Sequence, residues 1–466
     1  MPSLFASLGL ARDALAAQQY ALDVTQNNIA NVNTPGYTRQ RINLVPGDPV
    51  AQDVYQAGAG VRMASIDSYR TRFLERRVTD ELQRQGELAS SSSTLQQVEA
   101  VLNETSGSGL QSAINEFFNS FSSLANAPED VPLRQQVLAS GEDLGARFRQ
   151  IYEELQSVQV LQNRAVSDTV GEISSIAADI ARTNVEVVAA KNLNSNENTL
   201  RDRRQQLLDR MAELTDINYF ETESGSISVM SRQGTPLVVG DQAYTWTAVS
   251  STSGQGLEVH AGGTDITSTI QSGKLGGLLD VRDNKIAGYL SALDDMAAAI
   301  ISRVNTQHAL GSDYYGNPGA NFFIPFAPVN PGSTRGAARA MQVALSDPVQ
   351  IAAASAGAGL GSNGNARSLA GIKNELILSG NTATPDQAYT NLIFQIGRDT
   401  RTVLDGLETQ DNLLAQIQNQ RDSVSGVNLD EEAVDIMRFQ KAYQANARFI
   451  SIIDSLTEEM IRLIGG

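Results

Sequence analysis

A chain with only two histidines, His260 and His308, and no cysteine has few routes to catalysis. Thiolate chemistry, disulfides and Cys-based zinc or iron–sulfur centres are excluded, and so is a His-rich metal site. Carboxylates, hydroxyls and lysines remain. His308 lies in Asn305-Thr306-Gln307-His308-Ala309-Leu310-Gly311-Ser312-Asp313 at a helix end, where an imidazole caps carbonyls or meets the negative dipole end. His260 follows Val259 in a strand and so points to the opposite, wet face. Gly359-Leu360-Gly361-Ser362-Asn363-Gly364 has the GxGxxG spacing that lets backbone approach a pyrophosphate. It follows Ala352-Ala353-Ala354-Ser355 rather than a β-branched strand, with no βαβ alternation around it, and reads as a loop. Asp313-Tyr314-Tyr315-Gly316-Asn317 lacks the alternating oxygen ligands and terminal Glu of a calcium loop. No catalytic, cofactor-binding or metal-ligating set is expected, and the chain reads as non-enzymatic.

The 466 residues, 41% apolar and 19% charged, suffice to bury a core and to build two to four domains. Thirty-five Lys and Arg stand against 52 Asp and Glu, a net charge of −17. Nucleic-acid affinity comes from clustered cations, so no such partner is expected. No stretch approaches the roughly 18 uninterrupted apolar residues of a membrane span. Met1 to Ala17 lacks the cationic start and long apolar block of a cleavable signal, so export by the general secretory route is not expected.

What must position any functional surface is helical. Residues 70–217 and 274–466 are poor in Pro and read as broken helices, while 218–272 is rich in Gly, Ser and Thr with β-branched residues. Alternation at Ile227/Val229, Tyr244/Trp246 and Leu257/Val259, with turns at Gly234-Thr235-Pro236 and Gly240-Asp241, predicts a small antiparallel β unit over 218–273. Residues 311–384, dense in Gly, Asn and Pro, read as an irregular outer segment of surface loops and short strands. The expected fold is mainly α with inserted β. Residues 1–50 and 425–466 form an inner domain of paired terminal helices in a coiled coil, and 51–217, 274–310 and 385–424 a long-helix bundle.

The terminal pairing rests on two heptad seams. Leu4, Leu8, Ala11, Leu15, Gln18, Leu22, Thr25 and Ile29 step by threes and fours. So do Ile436, Phe439, Tyr443, Asn446, Ile450, Ile453, Thr457, Met460 and Ile464. One amphipathic helix cannot bury its own stripe, so each end needs a partner, and the simplest is the other end. Polar faces rich in Gln, Asn and Ala, rather than Lys and Glu, suggest contact with other subunits. A third seam runs Tyr389, Ile393, Ile396, Thr400, Val403, Leu407, Gln410, Leu414, Ile417, and Leu144, Phe148, Ile151, Leu155 and Val158 are similarly spaced.

Two segments carry more than periodicity. Asn27-Asn28-Ile29-Ala30-Asn31-Val32-Asn33-Thr34-Pro35-Gly36-Tyr37-Thr38-Arg39-Gln40 ends a helix, with Pro35 presetting φ, Gly36 supplying the positive φ of a type II turn, and a strand expected from Tyr37. Ser425-Gly426-Val427-Asn428-Leu429-Asp430-Glu431-Glu432 starts one, with Asn428 as N-cap, Glu431 at N3 and three acids at the positive dipole end. The first resembles the signature of the rod, hook and hook-associated proteins of the bacterial flagellum, most closely in Tyr37-Thr38-Arg39-Gln40 the hook-associated protein 1 family. The second, with Met437-Arg438-Phe439-Gln440-Lys441-Ala442-Tyr443-Gln444-Ala445-Asn446-Ala447-Arg448, resembles the C-terminal domain of the same axial proteins. Pro132 to Leu138 and Asn198 to Asn218 are similar to the helical domain of that family, and Asn317 to Phe323 resembles its loop after the second helical block.

The resemblance implies a structural, extracellular subunit at the hook–filament junction, exported through the flagellar type III pathway after a transient stay in the cytoplasm. Implied partners are neighbouring copies, the hook protein, a second junction protein, the filament cap during assembly, and a cytosolic export chaperone on the C-terminal helix. No cofactor is implied. Leu4, Leu8, Leu15, Leu22, Ile29, Pro35, Gly36, Tyr37, Ile436, Phe439, Tyr443, Ile450, Ile453, Met460 and Ile464 are the expected assembly residues. Another axial protein (rod, hook or flagellin-like) and a secreted helical effector or hydrolase remain as alternatives.

Overall fold

The computed structural model describes residues 2–47, 60–102, 109–193, 195–251 and 256–464. Helix α1 (Pro2–Ala30) leads into a hairpin of β1 (Gln40–Pro46) and β2 (Val61–Ser68), then α2 (Arg72–Leu102), α3 (Leu110–Asn126), α4 (Val131–Asn192) and α5 (Asn198–Leu214). A four-stranded antiparallel sheet follows: β3 (Ile217–Glu221), β4 (Ile227–Ser231), β5 (Pro236–Val239) and β6 (Gln242–Ala243). A three-stranded one joins β7 (Trp246–Ser250), β8 (Leu257–Ala261) and β9 (Thr264–Asp265). Then come α6 (Gly273–Asp280), a π turn (Val281–Ile286) and α7 (Ala287–Ala309). The outer segment holds β10 (Gly311–Ser312), α8 (Ala337–Ala340), β11 (Ala354–Ser355) and α9 (Gly364–Gly371) before the long α10 (Pro385–Ser425) and α11 (Leu429–Ile464). Among the described residues no helix is long and apolar enough to cross a membrane.

The helix starts are written in the sequence. Asp130 accepts from the Leu133 amide (3.3 Å) with Pro132 in the first turn of α4, and Thr384 and Gln387 form a reciprocal capping box at α10. Each cap satisfies donors that the first turn leaves open.

Helix α4, 62 residues and so roughly 90 Å long, runs through two cores. In one, Leu144, Phe148, Ile151, Leu155 and Val158 of α4 pack with Phe117, Phe118 and Phe121 of α3, with α7, and with Tyr389 and Ile396 of α10. In the other, Ile173, Ala177 and Ile180 of α4 meet Leu208 and Met211 of α5, Val229, Leu237, Trp246 and Val259 of the sheets, and Leu414 and Ile417 of α10. The mainly α body with small inserted sheets matches the expected fold class. On α10, Leu392 is buried in place of Ile393, which is 36% exposed.

The segment 311–384 is loop-rich with short strands and partly exposed, as its composition suggested, but part of it enters the core. Phe322, Phe323, Met341, Ile351, Leu369 and Ile372 are fully buried in the first core. Two buried polar side chains hold it there. His308 is fully buried rather than capping in solvent: its Nδ1 faces Ala320 O at 2.5 Å and its Nε2 accepts from Ala352 N at 2.8 Å. Burial pushes this imidazole down to about 4, so it is neutral. Arg134, 1% exposed, donates to Pro128 O (2.8 Å) and Ile351 O (2.6 Å). Loop backbone can enter a core when such side chains satisfy its carbonyls and amides.

Candidate functional site

The two chain ends pack along each other, α1 against α11, and run antiparallel, because Asn28 near the end of α1 meets Glu432 in the first turn of α11. The buried side chains of α1 are Ala11, Ala17, Ala21, Val24, Thr25 and Asn28, a stripe turned about one residue from the leucine seam. Leu8 is 36% exposed, and Leu15, Leu22 and Ile29 are half-buried at its flank. On α11, Ile453 is buried, Ile436, Phe439, Tyr443 and Ile450 are half-buried, and Met460 is 37% exposed. Leu4 and Ile464 have side chains outside the described residues. Small residues on α1 let the helices approach closely, which is why alanines occupy the seam.

The opposite face of α11 is mixed: exposed Arg438, Lys441, Arg448 and Glu459 alternate there with exposed apolar side chains. Val434, Met437, Ile452 and Leu463 are each more than half exposed, with Phe449 and Leu456 close to it. At 100° per residue they lie across the helix from Ile436, Tyr443 and Ile450. The pair of terminal helices therefore carries a second set of large apolar side chains, set among charged ones, that no other described residue covers.

Where the pair meets the body, a polar joint is built from the segment between α1 and β1. Asn28, 1% exposed, uses its whole amide: Nδ2 donates to Gln40 O (2.8 Å) and Glu432 Oε2 (3.0 Å), and Oδ1 accepts from Gln40 N (3.0 Å) and the Tyr37 hydroxyl (2.9 Å). Arg39 donates through Nε to Glu432 Oε1 (2.6 Å), pairs with Glu431, and stacks 5.2 Å over Tyr69. The Arg39 amide donates to Ser425 O (2.9 Å) at the end of α10. Residues 37–39 are thus spent on the joint, and the strand begins at Gln40 rather than Tyr37.

On the body side, Asp202 of α5 accepts from the Thr38 amide (3.2 Å) and from Arg70, and Gln206 donates to Pro35 O (2.6 Å). Pro35 and Gly36 are exposed; Tyr37 is half-buried. Gly36 sits at φ +74° with Tyr37 N donating to Thr34 O (3.2 Å), the expected type II turn. A Cβ on Gly36 would fall 2.6 Å from Gln206 Nε2, the mobile end of a side chain that can shift, so it is the positive φ that calls for glycine. Beneath the turn lies a cleft of about 530 Å³ lined by Glu75, Asp202, Asp209 and Arg421 among others.

Buried carboxylates crowd this cleft. Burial raises Glu75 to about 7, with Asp209 and Asp202 adding to it and Arg70, 3.0 Å away, opposing. Burial also raises Asp202 and Asp209, and it pushes Tyr37 up to about 12, helped by Asp202 and Glu432. The sign follows from linkage: a carboxyl raised in the folded state stabilises fully below its ordinary value and loses that contribution as pH rises through about 7. Thermal unfolding of the full chain should therefore show stability falling between pH 5 and 8. Glu75→Gln should flatten that slope and be more stable than the parent at pH 8 by about 2 kcal/mol. An unchanged slope in Glu75→Gln would show that Glu75 is not the group responsible.

Asn28, Arg39, Asp202, Gln206 and Glu432, which make the joint, were not among the expected site residues. Asn28 leaves no trace on the seam legible in sequence, which passes through Thr25 and Ile29; only the turned stripe of the folded pair places it inside.

The comparisons with known proteins agree with one another. Residues 95–323 match the family model of the flagellar hook-associated protein FlgK helical domain, residues 8–38 that of the flagella basal body rod protein, and residues 418–464 that of the flagellar basal body rod FlgEFG protein C-terminal region. The chain is 29% identical to flagellar hook-associated protein 1 of Bacillus subtilis (strain 168), covering 100% of this chain and 99% of that one. It is 24% identical to the protein of the same description from Escherichia coli (strain K12), covering 97% and 98%. The solved structure of the flagellar hook junction protein FlgK from Burkholderia pseudomallei aligns with a TM-score of 0.68 at 17% identity, over 75% of this chain and all of that one.

Proposed function

We propose, for a chain that belongs to the flagellar hook-associated protein 1 family and is a structural component of the bacterial flagellum, that it forms the junction between hook and filament by assembling with copies of itself. The observation that carries this is the two-faced α11. One face packs on α1, and the other, with Met437, Ile452 and Leu463 exposed, needs a neighbour to leave water. The rod-type segments at the two ends are shared with other axial proteins, whereas the middle, residues 95–323, matches the hook-associated helical domain, and this favours the junction over rod or hook.

In this reading the chain leaves the cytoplasm unfolded through the flagellar type III pathway, its α11 stripe shielded by an export chaperone beforehand. It then folds at the growing tip, against hook subunits below and beneath a filament cap, with a second junction protein joining later. No catalytic step is assigned. Cells lacking the chain should bear hooks without filaments and should not swim, and the parent sequence should restore both. Gly36→Val, which strains the turn by about 1–3 kcal/mol, should be exported but incorporated poorly. Normal filaments in cells lacking the chain would overturn the proposal.

A further inference from the structure

The outer β unit brings together three side chains that the chain-end assembly does not use. Glu258 and His260 stand two residues apart on β8 and so share one face of the sheet, and the register pairs His260 with Asp265 on β9. Their donor atoms all lie within 4.8 Å of one another, with His260 Nε2 facing Glu258 Oε2 at 3.2 Å. We propose that Glu258, His260 and Asp265 form a binding site for a divalent transition-metal ion of the zinc class.

The carboxylates are held for the purpose from behind. Ser251 Oγ donates to Glu258 Oε1 (2.6 Å), and Thr267 donates to Asp265 Oδ1 through its amide (2.9 Å) and its hydroxyl (2.6 Å). Such outer contacts orient ligands, and they bias both acids toward the ionised form a metal requires. The hydroxyl of Ser251, then His260, lowers Glu258, and Thr267 lowers Asp265. Glu258 and Asp265 open on a cleft of about 710 Å³ that Glu87, Asp280, Asp283 and Arg282 also line, and since Arg282 pairs with Asp283 the remaining acids leave a net negative field there. The imidazole sets the preference: oxygen donors alone suit calcium or magnesium, whereas a ring nitrogen beside two carboxylates suits zinc, nickel or cobalt. Ligand bonds of about 2.0–2.2 Å require the donors to draw closer than they stand. All three side chains reach solvent and can do so by small rotations.

Trp246, the single tryptophan of the chain, is paired with Ala261 and buried on the other face of the sheet from His260, one strand away from the site. Titrating the full chain with Zn²⁺ in a calorimeter should give one saturable site in the micromolar range, and Co²⁺ should quench Trp246 with a matching saturation curve. His260→Ala and Glu258→Gln should each weaken both signals at least about tenfold. Saturation absent below millimolar metal, or parental binding in both variants, would overturn the site and leave only diffuse attraction to an acidic surface.

Discussion

Ile450→Asp with Ile453→Asp is expected to separate the two ends of the chain and abolish swimming. Ile453 is 5% exposed although it lies on a helix most of whose residues face water. Counting back along both helices from the Asn28–Glu432 contact at an equal rise per residue, it comes level with α1 near Leu8 and Ala11. That is the end of the pair farthest from the joint. At that level the buried α1 side chain is Ala11, and among the described residues of α1 the buried polar ones, Thr25 and Asn28, lie at the far end by the joint. Two carboxylates in this seam should cost about 4 kcal/mol or more, which the contacts along one helix pair cannot absorb. The two cores of the body hold no residue of α11, so the body should stay folded while helical content falls by the share of α1 and α11. Circular dichroism of the isolated protein and a motility assay would check this. Unchanged helicity with normal swimming would mean that the pairing does not depend on this seam.

Arg39→Ala is expected to loosen the joint without unpairing the helices. The Glu432 side chain is 2% exposed and Arg39 15%, so the loss of the guanidinium leaves a buried carboxylate with the Asn28 amide alone. Breaking a buried pair from one side costs about 3 kcal/mol or more, much of it the penalty on the abandoned charge. Glu432→Ala should cost less, because Arg39 keeps Glu431 and lies 3.8 Å from Asp435. Adding Glu432→Gln to Arg39→Ala removes the stranded charge and should recover part of the loss, so the two changes should be non-additive. In urea, Arg39→Ala should unfold in two steps, the terminal pair and hairpin before the body. A single transition at the parental midpoint would show that Arg39 does not hold the ends to the body.

Much of the architecture was legible because it depends on neighbours in sequence. Threes-and-fours spacing marks a helix whatever it packs on, and the caps at Asp130, Thr384 and Asn428 announce starts through contacts a few residues away. The positive φ of Gly36 follows equally from Pro35-Gly36 and its turn. Even family membership was readable from two short segments, since both ends carry wording shared with flagellar axial proteins.

What only the tertiary structure decided were the questions of which face and which partner. The leucines of α1 define an apolar stripe, but the buried line is the alanine one beside it, because close packing of two helices rewards small side chains at the contact and leaves larger ones to its flank. Residues 311–384 look like surface loops by composition. Part of this stretch enters the core because Arg134 and His308, distant in sequence from much of what they bind, satisfy the buried backbone. Asn28, Arg39, Asp202 and Glu432 are separated by as many as 404 positions, and each alone is an ordinary polar residue. Local propensity reaches only a few residues along the chain, whereas a buried hydrogen bond or ion pair exists only once folding has brought its two halves together and removed the water between them.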